Sequence, residues 1–450
     1  MKTISKFIML GLIGTLILSA CQVQTVTPPA TPTATATEAV TTSPTIAIPA
    51  NGTPGSTPSE AQTPSATPDT RLFDENNQMI CTPYEPLFPE LTADQIAQLA
   101  VFPDVSAADW SEGPEDATLT IIEYSDFQCP ACAAFYTELN TLMAKYPDDV
   151  RLVFRNFPLV SLHSNATLAA QAAESAGRQG KFWDMYNDLF SKQSEWSAMT
   201  TADFTNWLKA EAQTLGLDTA KFATDLTSEA VVSKVKSDID YGTQIGLNST
   251  PTILLNGRPW QYDWSASTLG MVIDVIKAEK DLKMECPPFV IDQNKTYTAV
   301  IKTEKGDMVF ELYPKEAPLA VNSFVYLSRS GFYDGVTFHR VFHDFVAQAG
   351  DPSGTGISGG GYEYREEISP NLSFDQPYML GVAKSNDPDT SGSQFFITYV
   401  AAPELDGSYT VFGKLISGVD VLNQITERDA QTNPDAPAGD KIVSITITEK

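Results

Sequence analysis

The 450-residue chain is poor in histidine, cysteine and basic residues. Its three histidines are His163, His339 and His343, and its five cysteines are Cys21, Cys81, Cys129, Cys132 and Cys286. A zinc site ordinarily gathers four N or S ligands. One Cys-x-x-Cys stands here without a second to complete a set, so no metal is expected. Basic residues number 29 against 56 acidic ones, a formal charge of -27. Binding of phosphate backbones rests on clustered Lys and Arg, which argues against nucleic acid as a partner. The acidity itself reads as a solubility feature. Long apolar runs are also missing: Phe7 to Leu18 is short for a membrane span of roughly 20 residues. Between Val23 and Thr70 there is no aromatic residue, and Thr, Pro, Ala and Ser prevail. Such a composition cannot bury a core and stays extended.

The first residues carry Lys2 and Lys6, then the apolar run, then Leu18-Ser19-Ala20-Cys21. This resembles the lipobox of bacterial lipoproteins. The resemblance implies cleavage before Cys21, which becomes a lipid-modified N-terminus. An uncleaved membrane helix is the alternative, and the small residues before Cys21 favour cleavage. Residues 1–20 are then a signal peptide and 21–72 a Thr/Pro-rich tether reaching on the order of 100 Å. Removing Cys21 from the cysteine count leaves four that can pair in an exported setting.

Ordered sequence begins near Phe73. Ala117 to Tyr124 reads as an apolar strand, Pro130 to Tyr146 as a helix and Asp149 to Phe157 as a second strand. Residues 164–246 carry helical periodicity, with breaks at Thr200-Thr201 and Gly216. A short strand is expected at Thr252 to Leu255 and a helix at Ser265 to Lys283. The Cys129-Pro130-Ala131-Cys132 motif lies between a strand and a helix, the placement of a redox dithiol. A cysteine at a helix N-terminus is favoured as the thiolate, so Cys129 should be the exposed attacker and Cys132 the buried resolving thiol. The run from Glu123 through Cys132 resembles the active-site region of DsbA-like thioredoxin-fold proteins. By that resemblance Glu123 lies beneath the cysteines and aids proton transfer, and Ser249-Thr250-Pro251-Thr252 matches the cis-proline loop. Residues 164–246 match the family's inserted helical subdomain. The Pro-Ala dipeptide departs from the Pro-His of strongly oxidising members, so redox direction stays open. Cys81 and Cys286 flank the domain, taken as residues 73–286. They are expected to form a structural disulfide stapling its ends, with an auxiliary redox pair as the alternative.

After Cys286-Pro287-Pro288 the pattern changes. Residues 287–295 read as a linker and 296–450 as short strands divided by Gly-rich turns, with helices only near Ala317 to Ser328 and Val419 to Thr426. The runs Gly331 to Val341, Phe345 to Asp351, Gly392 to Ile397 and Leu405 to Gly407 resemble the cyclophilin family of prolyl isomerases. That implies a closed, mostly antiparallel eight-stranded barrel capped by two helices. The fold class expected for the whole is therefore multidomain: an α/β thioredoxin-like fold with a helical insertion, then a β-dominated cyclophilin barrel. The resemblance assigns catalysis to Arg340, with Gln348 and Gln394 orienting it and holding substrate backbone. It assigns the proline pocket to Phe345, Phe396 and Leu405, and places His339, Val346 and Tyr409 beside it. Val346 stands where many members have Met, Glu404 where some have Trp, Tyr409 where His is frequent and Lys384 where Asn is common. His343 has no counterpart and reads as a surface residue. The expected protein is a lipid-anchored, extracytoplasmic enzyme of the cell envelope, acting on extended exported polypeptides and served by a membrane redox partner. Neither chemistry requires a cofactor, and a peptide-binding chaperone or a client-specific reductase is the alternative.

Overall fold

A computed structural model describes residues 71–450; the expectations for Cys21, the signal peptide and most of the tether lie outside the described residues. The chain opens with an arm that ends in a two-residue strand, β1 (Thr82–Pro83), before a short helix, α1 (Ala93–Leu99). α1 starts on a reciprocal cap: Thr92 accepts from the Gln95 amide and the Gln95 side chain accepts from the Thr92 amide.

The first domain is a five-stranded sheet wrapped by helices. Its strands are β2 (Trp110–Glu112), β3 (Leu119–Ser125), β4 (Val150–Asn156), β5 (Thr252–Leu255) and β6 (Arg258–Trp260), in the order β2-β4-β3-β5-β6. β3 and β4 run parallel and are joined through α2 (Pro130–Lys145), a βαβ crossover; the other pairings are antiparallel. The period-two alternation of β3 sorts its side chains. Leu119 and Ile121 enter the main core beneath α2, while Ile122 and Tyr124 face a smaller cluster with Val153, Phe157 and Leu254. α2 answers with a stripe of Cys132, Phe135, Leu139 and Leu142 at helical spacing.

The predicted helical block between β4 and β5 resolves into α3 (Ala166–Gly177), α4 (Phe182–Ser191), α5 (Gln193–Trp196), α6 (Thr201–Thr214), α7 (Thr219–Asp225) and α8 (Glu229–Gln244). The expected breaks are physical ones. Thr200 caps α6 by accepting from the Asp203 amide, and Gly216 ends it at φ +73°. α9 (Ala266–Glu279) closes the domain against α2.

The second domain carries β7 (Tyr297–Thr303), β8 (Gly306–Leu312), α10 (Pro318–Arg329), β9 (Arg340–Val341), β10 (Val346–Ala349), β11 (Tyr362–Glu363), β12 (Met379–Val382), β13 (Phe395–Thr398), β14 (Val411–Ser417), α11 (Val419–Leu422), β15 (Arg428–Asp429) and β16 (Ile442–Glu449). All but β11 form one curled antiparallel sheet of nine strands, ordered β15-β9-β10-β13-β12-β14-β8-β7-β16. The count is nine where eight were expected, because the two-residue β15 adds itself beside β9. Residues 335–339 form an approach to β9. Its amides at Gly335 and Phe338 donate to the Ile442 and Asp440 carbonyls, which draws the two ends of the sheet together. Phe310, Phe324, Tyr333, Phe338 and Phe395 are buried in its core.

The arm revises the expected boundary of the first domain. β1 pairs with β11 of the second domain, Thr82 opposite Glu363 and Pro83 opposite Tyr362. Met79 is 1% exposed within the second domain's core, and the Phe73 and Phe289 rings lie 5.0 Å apart. Asn322 of α10 donates to the Met79 sulfur and the Pro288 carbonyl. Cys81 and Cys286 are disulfide-bonded. The bridge ties arm to linker on the surface of the second domain, where the expectation had the two ends of the first domain stapled to each other. Apolar burial of Met79, with Leu72 packed against the same core, explains why the arm docks there.

Candidate active sites

The first site grows from the end of β3. The pleat that sends Leu119 and Ile121 under α2 sends Glu123 there too, where it is fully buried. Its partner is the Ser125 hydroxyl, which donates to Oε1, while Oε2 has no protein partner. Burial pushes the Glu123 carboxyl up to about 8, against the pull of that hydroxyl. Three residues on, the chain turns through Asp126, whose carboxylate accepts from the Gln128 and Leu159 amides and meets His163 Nδ1 at 2.7 Å. Cys129 is the N-cap of α2 and Pro130 its first residue, a position where the missing N–H costs nothing.

The two thiols diverge. The Cys129 thiol is held down to about 5, first by the hydrogen bond from Cys132 and then by the backbone amides of Cys132 and Ala131 at the helix head. Burial raises Cys132 well above the ordinary thiol range, with its bond to Cys129 and the Glu123 charge adding to the effect. The expectation of an exposed Cys129 needs correction: it is 7% exposed, against zero for Cys132. The loop before β5 covers it, with the Cys129 sulfur 3.4 Å from the Thr250 carbonyl. The Thr250–Pro251 peptide bond is cis, as the resemblance implied.

The helical block grips the motif through side chains that sequence reading did not single out. Gln193 of α5 donates to the Phe127 and Cys129 carbonyls. Gln128 donates to the Ser197 carbonyl and accepts from the Asn165 amide. These are amides without a local sequence signal; only the fold brings them within reach. The arrangement offers one stabilised thiolate, one protonated thiol and one carboxyl able to exchange a proton near neutral pH.

The second site spans three neighbouring strands. Register sets Arg340 of β9 opposite Gln348 of β10, and Gln348 opposite Phe396 of β13. All three therefore emerge on one face. They line a cleft of about 270 Å³ together with Phe345, Val346, Leu405, Tyr409 and His339. Gln394 sits just beyond, accepting from the Gln348 amide at 2.9 Å and donating to the Gly356 and Ser358 carbonyls. The apolar floor is its own cluster: Val346 and Phe396 are buried with Phe374 and Met379, and Phe345, Leu405 and Tyr409 pack on its edge.

Arg340 stacks over Phe342 at 5.0 Å and Phe345 at 5.9 Å from the ring centroids. Among the described residues no carboxylate pairs with it, so its N–H groups remain available to a ligand. His339 is 2% exposed, and burial lowers its pKa, keeping the imidazole neutral. Glu404 is exposed and takes no part in the lining, whereas Lys384 does, tied to Glu366 at 3.3 Å and set over the Tyr409 ring. His343 lies on the surface, its Nε2 2.7 Å from the Ile425 carbonyl.

Known proteins resemble each half separately. A family model described as "Thioredoxin" matches residues 106–275, and one described as "Cyclophilin type peptidyl-prolyl cis-trans isomerase/CLD" matches residues 298–447. A Helicobacter pylori protein named "Peptidyl-prolyl cis-trans isomerase" is 46% identical over 137 residues, 30% of this chain and 83% of that protein. "Peptidyl-prolyl cis-trans isomerase 9" of Schizosaccharomyces pombe is 42% identical over 154 residues, 33% of this chain and 25% of the relative. The chain thus spans about a quarter of the length of that relative and of the mouse and human ones it also matches. A crystal structure of a Cryptosporidium parvum cyclophilin-type isomerase aligns over 34% of this chain and 99% of its own, at 36% identity and TM-score 0.31. The in-register cleft lies within residues 298–447, and by its likeness to the Helicobacter pylori protein the chain belongs to the cyclophilin-type peptidyl-prolyl cis-trans isomerases, with a thioredoxin-like domain preceding the isomerase fold.

Proposed function

We propose that the protein is an extracytoplasmic folding enzyme that isomerises Xaa-Pro bonds at Arg340 and exchanges thiols and disulfides at Cys129 and Cys132. The observation that carries the isomerase reading is the free guanidinium of Arg340 at the rim of an apolar cleft. Rotation about the amide must break resonance worth about 18–20 kcal/mol of barrier. As the bond twists, the prolyl nitrogen loses conjugation and becomes a hydrogen-bond acceptor. Arg340 donates to it, a contact stronger in the twisted state than in either planar one. Phe345, Phe396 and Leu405 hold the ring, and Gln348 and Gln394 hold the flanking backbone. No proton moves and no covalent bond changes.

At the other site the Cys129 thiolate attacks a client disulfide sulfur, forming the mixed disulfide and releasing one client thiolate. Cys132 passes its proton to the Glu123 carboxylate and attacks the Cys129 sulfur. The second client thiolate leaves, and Cys129 and Cys132 end as a disulfide. Oxidation of a client dithiol is the same sequence reversed. The DsbA-like features that support this reading are Glu123, Pro251 and the inserted helices. The lipobox-like Leu18 to Cys21 supports lipid attachment at Cys21, an envelope location, exported chains as clients and a membrane redox partner. The test measures isomerisation of a proline peptide by exchange NMR and the midpoint potential of the Cys129/Cys132 pair. An Arg340→Ala protein with undiminished isomerase activity would refute the first assignment. A potential near about -270 mV assigns reduction of clients, and one near about -120 mV assigns oxidation.

A further inference from the structure

Beneath the dithiol two enclosed polar atoms have no hydrogen-bond partner among the described residues. One is Glu123 Oε2, left free because the Ser125 hydroxyl donates to Oε1. The other is the phenol oxygen of Tyr186. Both side chains are buried, Glu123 at 0% and Tyr186 at 3% exposure. A buried polar atom without a partner is costly, and native structures rarely leave one. Tyr186 lies on α4, in the helical block, and its ring meets the elements that carry the site. Phe154 of β4 stands opposite Glu123 in the parallel register, and its ring meets Tyr186 edge-on at 5.2 Å. Tyr136 follows Cys132 by four residues on α2, so the two share a face, and its ring is 5.6 Å from Tyr186. Phe127, two residues before Cys129, lies at 5.9 Å. Burial pushes the phenol well up, and the Glu123 charge pushes it further, followed by Tyr136, Cys132 and Glu112. Tyr186 therefore stays protonated and can only donate.

We infer that Tyr186 is a positioning residue for the resolving step, holding one enclosed water between its hydroxyl, Glu123 Oε2 and the Cys132 thiol. The inference rests on the thiol-exchange reading of Cys129 and Cys132. A buried water makes about three hydrogen bonds, and these groups offer matching roles. The Tyr186 hydroxyl donates to the water oxygen, and the water donates to Oε2. The Cys132 S–H donates to the same oxygen once Cys129 is engaged in the mixed disulfide and no longer accepts from it. On resolution the Cys132 proton passes to the water, and a water proton passes to Oε2. Cys132 is left as the thiolate that attacks the Cys129 sulfur. The bond from Cys129 to the client breaks, and the client thiolate leaves. Tyr186 keeps its proton throughout. By donating toward the carboxylate it favours the ionised form, and so offsets part of the burial that lifts Glu123 to about 8. The other titratable groups around the pair are Cys129, Tyr136 and Glu112.

The experiment follows a single turnover of the full, reduced chain with a disulfide-linked peptide. Acid quenching and alkylation of free thiols read formation and decay of the mixed disulfide separately across a pH series. Tyr186→Phe keeps the ring and removes only the hydroxyl. It should slow decay about tenfold at neutral pH and raise the midpoint of the decay profile by about one pH unit, as expected for one lost hydrogen bond to a charged group. Formation should stay within twofold. The midpoint does not depend on how much of the variant is folded, so a folding defect cannot imitate the shift. In a Glu123→Gln background Tyr186→Phe should add nothing, because the two groups act through one water. An unmoved midpoint, or equal slowing in the Glu123→Gln background, overturns the assignment. A wild type that forms no mixed disulfide would instead overturn the thiol-exchange reading beneath it, so the two failures are told apart.

Discussion

The two sites handle charge in opposite ways. Around Cys129 three titratable groups share a buried pocket and are driven apart: one thiol down to about 5, the other far up, and Glu123 up to about 8. Around Arg340 burial lowers the pKa of His339, Lys384 is tied to Glu366, and Gln348 and Gln394 bond each other through their amides. Covalent exchange shuttles protons, so its groups need separated proton affinities. Amide rotation shuttles none, so it needs a fixed charge and a dry floor. A domain that is busy electrostatically and one that is quiet thus follow from the bonds each has to change.

The sharpest break of this comparison is Cys129→Ser. It should abolish reduction of a disulfide-linked test peptide while leaving proline isomerisation within twofold, which separate assays of the two reactions will read. Next, Arg340→Ala should cut isomerase kcat/KM by about 10²- to 10³-fold, as loss of a transition-state donor does, with thiol exchange untouched. Glu123→Gln should slow resolution of the mixed disulfide by about 10²-fold, seen as accumulation of the trapped intermediate. The same variant checks linkage. The Glu123 pKa is raised on folding, so its stabilising contribution is full below the unfolded value near 4.5 and is lost as pH rises through about 8. Glu123→Gln should therefore gain thermal stability relative to wild type at pH 9 and not at pH 4. A smaller contrast concerns pH and rate. Thiolate-dependent attack should decline below about pH 5, whereas isomerisation should not follow that decline, because amide rotation moves no proton. Finally, Cys81→Ser/Cys286→Ser should lower stability by about 2–4 kcal/mol in denaturant unfolding.

Long periodic elements and motif residues were legible in the sequence. β5 matches its expected limits, and the cleft residues from Arg340 to Tyr409 converge as the motif order implied. What escaped has a common physical cause. β1 and β11 are two residues each, too short for any alternation, and their partners lie about 280 positions apart in the chain. Gln193 and Gln128 carry ordinary amides whose meaning depends on where the helical block folds back. The cover over Cys129 comes from a loop more than a hundred residues downstream. The arm was misassigned because sequence order suggests that what precedes a domain belongs to it, whereas burial of Met79 in the second core decides otherwise.

The docking of that arm has a mechanical consequence. Tension applied between residue 71 and the C-terminus enters the isomerase domain through the arm, crosses at Cys81–Cys286 and continues into β7. The thioredoxin-like domain hangs between the bridged cysteines as a slack side loop and carries no load. Stretching the molecule in a single-molecule trap should therefore extend the isomerase domain alone, and reducing the bridge should lengthen the contour by the 205-residue separation of its cysteines.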